Sequence, residues 1–198
     1  MSATTSLAED GADVRGMFNR IAKRYDATNR AMSVGIDVAW RKKAIARLIE
    51  GLGDAPMFLD LGAGTLDGAI EIARQVPGAR VAAADFAREM LVAGKPKVTP
   101  DAHIDAHAAD GHHLPYRDAA FDGAFSAFCI RNLADLPRGM RELRRVVRPG
   151  GRIVILDFQA TSGYASTLRE GGAADVRVSG RHWSMHPPVR IVTATVPG

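Results

Sequence analysis

Three short stretches put carboxylates and glycines where a nucleoside-like ligand would need them. In Asp60-Leu61-Gly62-Ala63-Gly64-Thr65-Leu66-Asp67-Gly68 the glycines let the backbone turn tightly and approach a ligand at the start of a helix. Asp85, with Phe86 beside it, closes the next apolar run, and Asp110-Gly111 follows the third. A carboxylate at 85 can accept both hydroxyls of a ribose, and residues 110 and 111 can meet an adenine edge. Either aspartate alone reads equally well as a helix N-cap or turn residue. The three stretches together point to an adenosine-containing ligand. They disfavour a dinucleotide oxidoreductase, because the third glycine of that fingerprint would fall at 67, where aspartate stands.

Two other groups of residues could do chemistry. His182 and His186 lie in RHWSMHPP, and a neutral imidazole suits proton removal near pH 7. No carboxylate or cysteine is close to them in sequence, so no metal is expected. Cys129 sits in the apolar run AFSAFCI and reads as a small hydrophobe. As the single cysteine it offers no intrachain disulfide, which fits a reducing, cytoplasmic setting. His112 and His113 read as loop residues.

These groups must be held by an α/β framework. From residue 57 onward, β-rich apolar runs alternate with helical patterns, the mark of βαβ units and a parallel sheet. Strands are expected at 57–61, 79–85, 103–109, 121–129, 151–158, 175–180 and 189–196, with helices at 67–76, 88–94, 135–147 and 163–171. Residues 110–120 read as loop. In the helix at 135–147, Leu136, Met140, Leu143 and Val147 form a sheet-facing stripe. Pro149-Gly150-Gly151 is expected to end it. The last two strands are too close in sequence for a parallel crossover, so the seventh runs antiparallel to the sixth. That puts 181–188, with His182 and His186, on the ligand-binding side of the sheet. Two helical segments ahead of the sheet, about 13–24 and 37–51, read as an N-terminal cap spanning 13–52.

The length of 198 residues fits one domain, 1–198, and 46% hydrophobic residues suffice for its core. The first twelve residues are polar and acidic, unlike a leader, and are expected to fray; no run approaches a membrane span. The chain is therefore expected to be soluble. Its charge of +4 is local: residues 138–152 hold six arginines and one glutamate, on a chain otherwise near neutral. The Arg138–Arg148 face reads first as a solvated helix face, and its functional alternative is contact with an anionic membrane surface. Nucleic acid is not expected, since aromatic interleaving is sparse. A homodimer is left open.

The glycine turn, ADFAREML, ADGHHLPY and VVRPGGRIVILDF occur in the order found in class I S-adenosylmethionine-dependent methyltransferases, which the sequence resembles. Residues 17–45 and 128–151, with Tyr25, Asp26, Asn29, Ser33, Trp40, Arg131 and Asn132 at matching positions, are similar to the ubiquinone/menaquinone biosynthesis C-methyltransferases within that class. The resemblance implies a Rossmann-like seven-stranded methyltransferase sheet with helices on both faces and S-adenosyl-L-methionine as cofactor. It implies a small-molecule methyl acceptor, a ring carbon of a demethylated quinol. It places Tyr25, Asp60, Gly62, Gly64, Thr65, Asp85, Phe86, Asp110, Gly111 and Ala127 at the cofactor. Arg131 and Asn132 become the groups that would polarise the acceptor, beside His182 and His186 as candidate bases. Three positions depart from the pattern: Leu66 stands at the usual third glycine, Asp37 at a common histidine, and 159–174 is shorter than the family's link there. These departures favour, as alternatives, an O- or N-methyltransferase of a secondary metabolite or an inactive S-adenosylmethionine-binding protein.

Overall fold

The computed structural model describes residues 16–17, 36–51, 55–158, 162–179 and 189–198. Tyr25, His182 and His186, and nearly all of the first expected cap helix, lie outside the described residues. Among the described residues there are seven strands: β1 (Met57–Leu61), β2 (Arg80–Asp85), β3 (His103–Ala108), β4 (Phe121–Ala127), β5 (Val147–Asp157), β6 (Ala174–Val178) and β7 (Arg190–Thr195). They form one sheet in the order β3-β2-β1-β4-β5-β7-β6. The first five pair in parallel, while β7 is antiparallel to both β5 and β6. The carboxyl ends of β1 to β5 therefore share one edge of the sheet. Ser179 and Val189, the described residues flanking 180–188, adjoin that edge, since Arg190 pairs with Asp157.

Among the described residues, five helices cover the sheet: α1 (Ile36–Leu48), α2 (Asp67–Gln75), α3 (Arg88–Gly94), α4 (Leu136–Val146) and α5 (Ser162–Glu170). Because strand side chains alternate, the central strands β1, β4 and β5 feed two cores. Phe58, Phe125, Val154 and Leu156 pack with Trp40, Ala44, Ile45 and Leu48 of α1, Ala69 and Ile72 of α2, and Leu91 of α3. Leu59, Ala124, Ile153 and Ile155 pack on the opposite side with Met140, Leu143 and Val146 of α4 and Tyr164 and Leu168 of α5.

Two expectations are corrected at strands β4 and β5. The fourth strand stops at Ala127 rather than 129, because Phe128 leaves the extended region at φ 56° and Ile130–Asn132 wind into a 3-10 turn. The Pro149-Gly150-Gly151 turn lies inside β5, which begins at Val147. The register jumps from Phe121↔Val147 to Gly123↔Arg152, so the intervening residues bulge, with Gly150 at φ 76°.

Several arginines of the arginine-rich stretch are tied to partners, and Arg148 lies on β5 rather than on the helix. Arg145 of α4 donates to Glu142 and to Asp118 at 2.7 Å, and to the carbonyls of Tyr116 and Leu114. It thereby clamps the 114–118 loop onto α4. Arg148 pairs with Asp122 at 2.7 Å, Arg138 contacts His113, and Arg152 donates to the Arg47 and Glu50 carbonyls at the end of α1. No helix among the described residues is long and apolar enough to cross a membrane.

Candidate functional site

At the carboxyl end of β1 the chain turns back on itself through two left-handed glycines, Gly62 (φ 72°) and Gly64 (φ 52°). The amides of Gly62 and Ala63 both donate to the Ala84 carbonyl on β2, at 2.8 and 3.1 Å. Leu66 adopts φ 69°, the conformation glycine takes without strain, and its amide closes a tight turn on Ala63 at 2.8 Å. Its side chain is buried in the core, so the missing third glycine changes the residue type and its strain while the turn stays tight.

Asp85 ties this turn to the next strand end. One carboxylate oxygen accepts the Gly64 amide at 2.7 Å and the other accepts the Ala87 amide at 2.7 Å. Each oxygen keeps a second lone pair for a further donor. Burial pushes its pKa upward, against the pull of these two amides. Phe86 beside it is exposed. Asp60, at the base of the turn, is buried, and its Oδ2 has no hydrogen-bond partner. Burial raises its pKa to about 7.

The third strand end carries Asp110 and Gly111. Asp110 Oδ1 accepts the His112 amide at 2.9 Å and lies 2.7 Å from His112 Nδ1. His112 Nε2 in turn accepts the Asp135 amide at 3.1 Å, which puts the ring proton on Nδ1. Although burial acts the other way, the His112 donors hold the Asp110 carboxyl below the usual carboxylate range. His112 thus joins this loop to the N-terminus of α4, where Asp135 caps the helix by accepting the Arg138 amide at 2.9 Å.

The structure brings Asp60, Gly62, Gly64, Asp85, Phe86, Asp110, Gly111 and Ala127 to one edge. Thr65 stands apart in one respect: its buried hydroxyl accepts from Lys97 Nζ at 3.0 Å, and the same ammonium pairs with Asp67 at 2.6 Å. Beyond β4, Cys129 packs directly against Gly62, and burial drives its thiol pKa up to about 12. Arg131 and Asn132 follow on the link to α4, both exposed. Arg131 donates to Asp157, at the end of β5, at 2.6 Å. Among the described residues no group of three or more His, Cys, Asp or Glu could hold a metal ion.

The sequence profile of the ubiE/COQ5 methyltransferase family matches residues 5–166. The chain belongs to the ubiE/COQ5 methyltransferase family. It is 41% identical over 157 residues to the ubiquinone/menaquinone biosynthesis C-methyltransferase UbiE of Geobacter sp. (strain M21), covering 77% of this chain and 66% of that protein. It is 39% identical over 165 residues to the demethylmenaquinone methyltransferase of Mycobacterium sp. (strain KMS), covering 83% of this chain and 67% of that one. The match thus spans about two thirds of the length of these relatives. Among solved structures, a SAM-dependent methyltransferase from Aquifex aeolicus is similar with a TM-score of 0.64 at 21% identity, covering 79% of this chain and 89% of that one. Phosphoethanolamine N-methyltransferase 2 of Haemonchus contortus, in complex with S-adenosyl-L-methionine, is similar with a TM-score of 0.67 at 16% identity, covering 79% and 52%. Both likenesses confirm the Rossmann-like methyltransferase fold.

In this member of the ubiE/COQ5 family the profile match stops inside α5, within the short link from β5 to β6. The residues that sequence reasoning missed are those whose partners are distant along the chain. His112 reads as a loop residue until Asp135 is seen beside it, and Asp157 reads as the end of an apolar strand until Arg131 is seen to reach it.

Proposed function

We propose that the chain is an S-adenosylmethionine-dependent methyltransferase that methylates a ring carbon of a demethylated quinol. The observation that carries the cofactor reading is the Asp85 carboxylate at the end of β2, which holds the glycine turn through the Gly64 amide and keeps acceptor capacity on both oxygens. The residues present fit this cofactor. Gly62 and Gly64 supply a turn without side chains, Asp85 accepts ribose hydroxyls, Asp110 and Gly111 border the adenine, and Phe86 and Ala127 flank it. Asp60 offers a buried carboxyl with an unused oxygen beneath the turn. Tyr25 is proposed as a further contact. The sulfonium of the bound cofactor supplies the methyl group in an in-line displacement. The chain's own task is then to orient the acceptor and keep water out.

The acceptor reading is supported by the names of the relatives, a ubiquinone/menaquinone biosynthesis C-methyltransferase and a demethylmenaquinone methyltransferase. Methylating a C–H carbon of a hydroxylated ring forms the C–CH3 bond and releases that carbon's proton, which a nearby cation assists by favouring the ring's phenolate form. Arg131 remains protonated and suits that role, with Asn132 as a second polar contact. His182 and His186 are the candidate bases. The short link from β5 to β6 favours a second reading, an O- or N-methyltransferase of another small hydroxylated or amino acceptor.

Titration calorimetry with S-adenosylmethionine, followed by turnover against a water-soluble demethylmenaquinol analogue, tests both levels. Saturable cofactor binding and a ring-methylated product are expected. No binding at millimolar cofactor overturns the whole reading, and binding without ring methylation overturns the acceptor assignment.

A further inference from the structure

At the carboxyl ends of β4 and β5 the structure builds an aromatic corner around an ion pair whose acid, Asp157, is buried and whose base, Arg131, reaches solvent. Phe128 is held at φ 56°, a strained conformation for a bulky residue, by the hydrogen bond its amide donates to the Leu156 carbonyl at 2.8 Å. In that conformation its ring lies 4.8 Å from that of Phe158, inclined by 32°. The Arg131 guanidinium carbon sits 5.7 Å from the Phe158 ring centre, within cation–π range. Below it, Asp157 is fully buried. Its Oδ1 accepts Arg131 Nη1 at 2.6 Å and the Phe158 amide at 2.7 Å, and its Oδ2 lies 3.5 Å from the Tyr164 hydroxyl. A carboxylate taken fully out of water needs such partners, since losing one leaves a buried charge uncompensated. Arg131 is therefore anchored through one nitrogen, while among the described residues its other N–H groups meet no protein acceptor.

We infer that Asp157 is a positioning residue: it fixes Arg131 against Phe158 so that the free guanidinium N–H groups face an oxygen-bearing planar ring lying on the Phe128–Phe158 corner. The inference rests on the acceptor reading proposed above and names the subsite that reads the acceptor. Asp157 itself touches no substrate. Its effect passes through Arg131, and the chemical class selected is a planar aromatic with oxygen on the ring. A ring of the same shape without oxygen offers the guanidinium N–H groups no hydrogen-bond acceptor.

The test uses the full chain loaded with S-adenosylhomocysteine, titrated with 2-methyl-1,4-naphthoquinone and, as an oxygen-free control, 2-methylnaphthalene. Wild type is expected to prefer the quinone. Asp157→Asn and Arg131→Ala are each expected to weaken quinone binding about tenfold, the scale of one oriented charge-assisted hydrogen bond. The double variant is expected to be no weaker than Arg131→Ala alone, because one residue acts through the other. Affinity for S-adenosylhomocysteine should stay within about twofold in all variants. If Asp157→Asn does not fold, Asp157→Glu keeps the charge but displaces the anchor, and it should show the same selective loss. Wild-type quinone affinity in both Asp157 variants, additive losses in the cycle, or a parallel fall in cofactor affinity and unfolding temperature would each overturn the inference. A wild-type chain that binds the quinone but does not methylate a demethylated quinol sinks the acceptor assignment and leaves the positioning role standing. Turnover with unchanged kcat/KM in Asp157→Asn does the reverse, and a wild type that binds no quinone ends both.

Discussion

The Asp60 carboxyl faces the α-carbon of Gly68 so closely that a side chain at 68 would begin 2.6 Å from Oδ2. Helix α2 therefore starts against a buried acid that has one unused oxygen, and only glycine allows the approach. Burial raises the pKa of Asp60 from an ordinary 3.8 to about 7, so the folded chain holds this proton where the unfolded chain has lost it. With respect to this group, stability is greatest below about pH 4, is lost as the pH rises to about 7, and is flat beyond. Asp60→Asn cannot ionise. Its stability relative to wild type should improve across that window, by on the order of 2–4 kcal/mol between pH 4 and pH 8. Urea unfolding of both proteins at the two pH values measures the gap, and a gap that does not change with pH refutes a buried, half-titrating acid.

Gly62 and Cys129 are packed equally closely. A Cβ at 62 would overlap the cysteine side chain, and the backbone there is left-handed at φ 72°. Gly62→Ala should cost roughly 2–4 kcal/mol, part steric and part conformational. Adding Cys129→Ala removes Sγ but leaves Cβ, which the new methyl also overlaps, so it should recover only part of the steric cost and leave the backbone cost of about 1 kcal/mol in full. Denaturant unfolding of the two single variants and the double separates the parts. Additive effects would mean that the two residues do not touch. The same contact, with a thiol pKa near 12, predicts that native Cys129 resists alkylation at pH 8 while the unfolded chain reacts.

The glycine turn and Asp85 were legible because their signal is local: a strand, a glycine-rich bend and the start of a helix within ten residues or so. The same holds for the Met140 and Leu143 stripe, whose helical spacing survives in α4. The apolar β-rich runs at 57–61 and 151–158 likewise announced strands of a parallel sheet, and both lie within β1 and β5 or one residue beyond. Sequence pattern said nothing of Phe128, since no residue type marks a left-handed phenylalanine at the end of a strand. Nor could it pair Arg131 with Asp157, or Arg145 with the 114–118 loop, because those contacts exist only once strands distant in sequence lie side by side. The bulge at Pro149 to Gly151 was misread for a related reason. Proline and glycine signal a break in regular structure, and here the break falls within a strand instead of ending a helix.

His112 ties the Asp110 loop of the proposed cofactor site to the N-terminus of α4, with Asp110 on one ring nitrogen and the Asp135 amide on the other. His112→Ala removes both ring contacts and leaves Asp110 with the backbone amide alone. Two net hydrogen bonds, one of them to a carboxylate, put the loss of stability at about 1–3 kcal/mol. The Asp110 carboxyl sits below its usual pKa in the folded chain, so its share of stability is present at neutral pH and lost as the pH falls through that lowered value. The difference between wild type and His112→Ala should accordingly be widest near pH 7 and shrink below about pH 4. The loop carrying Asp110 and Gly111 would also lose its tie to α4, so affinity for S-adenosylmethionine should fall about five- to tenfold while the Asp85 contacts persist. Calorimetric titration of the variant at pH 7, paired with unfolding curves at pH 4 and pH 7, measures both effects. Unchanged cofactor affinity would show that the bridge steadies α4 and plays no part in holding the ligand.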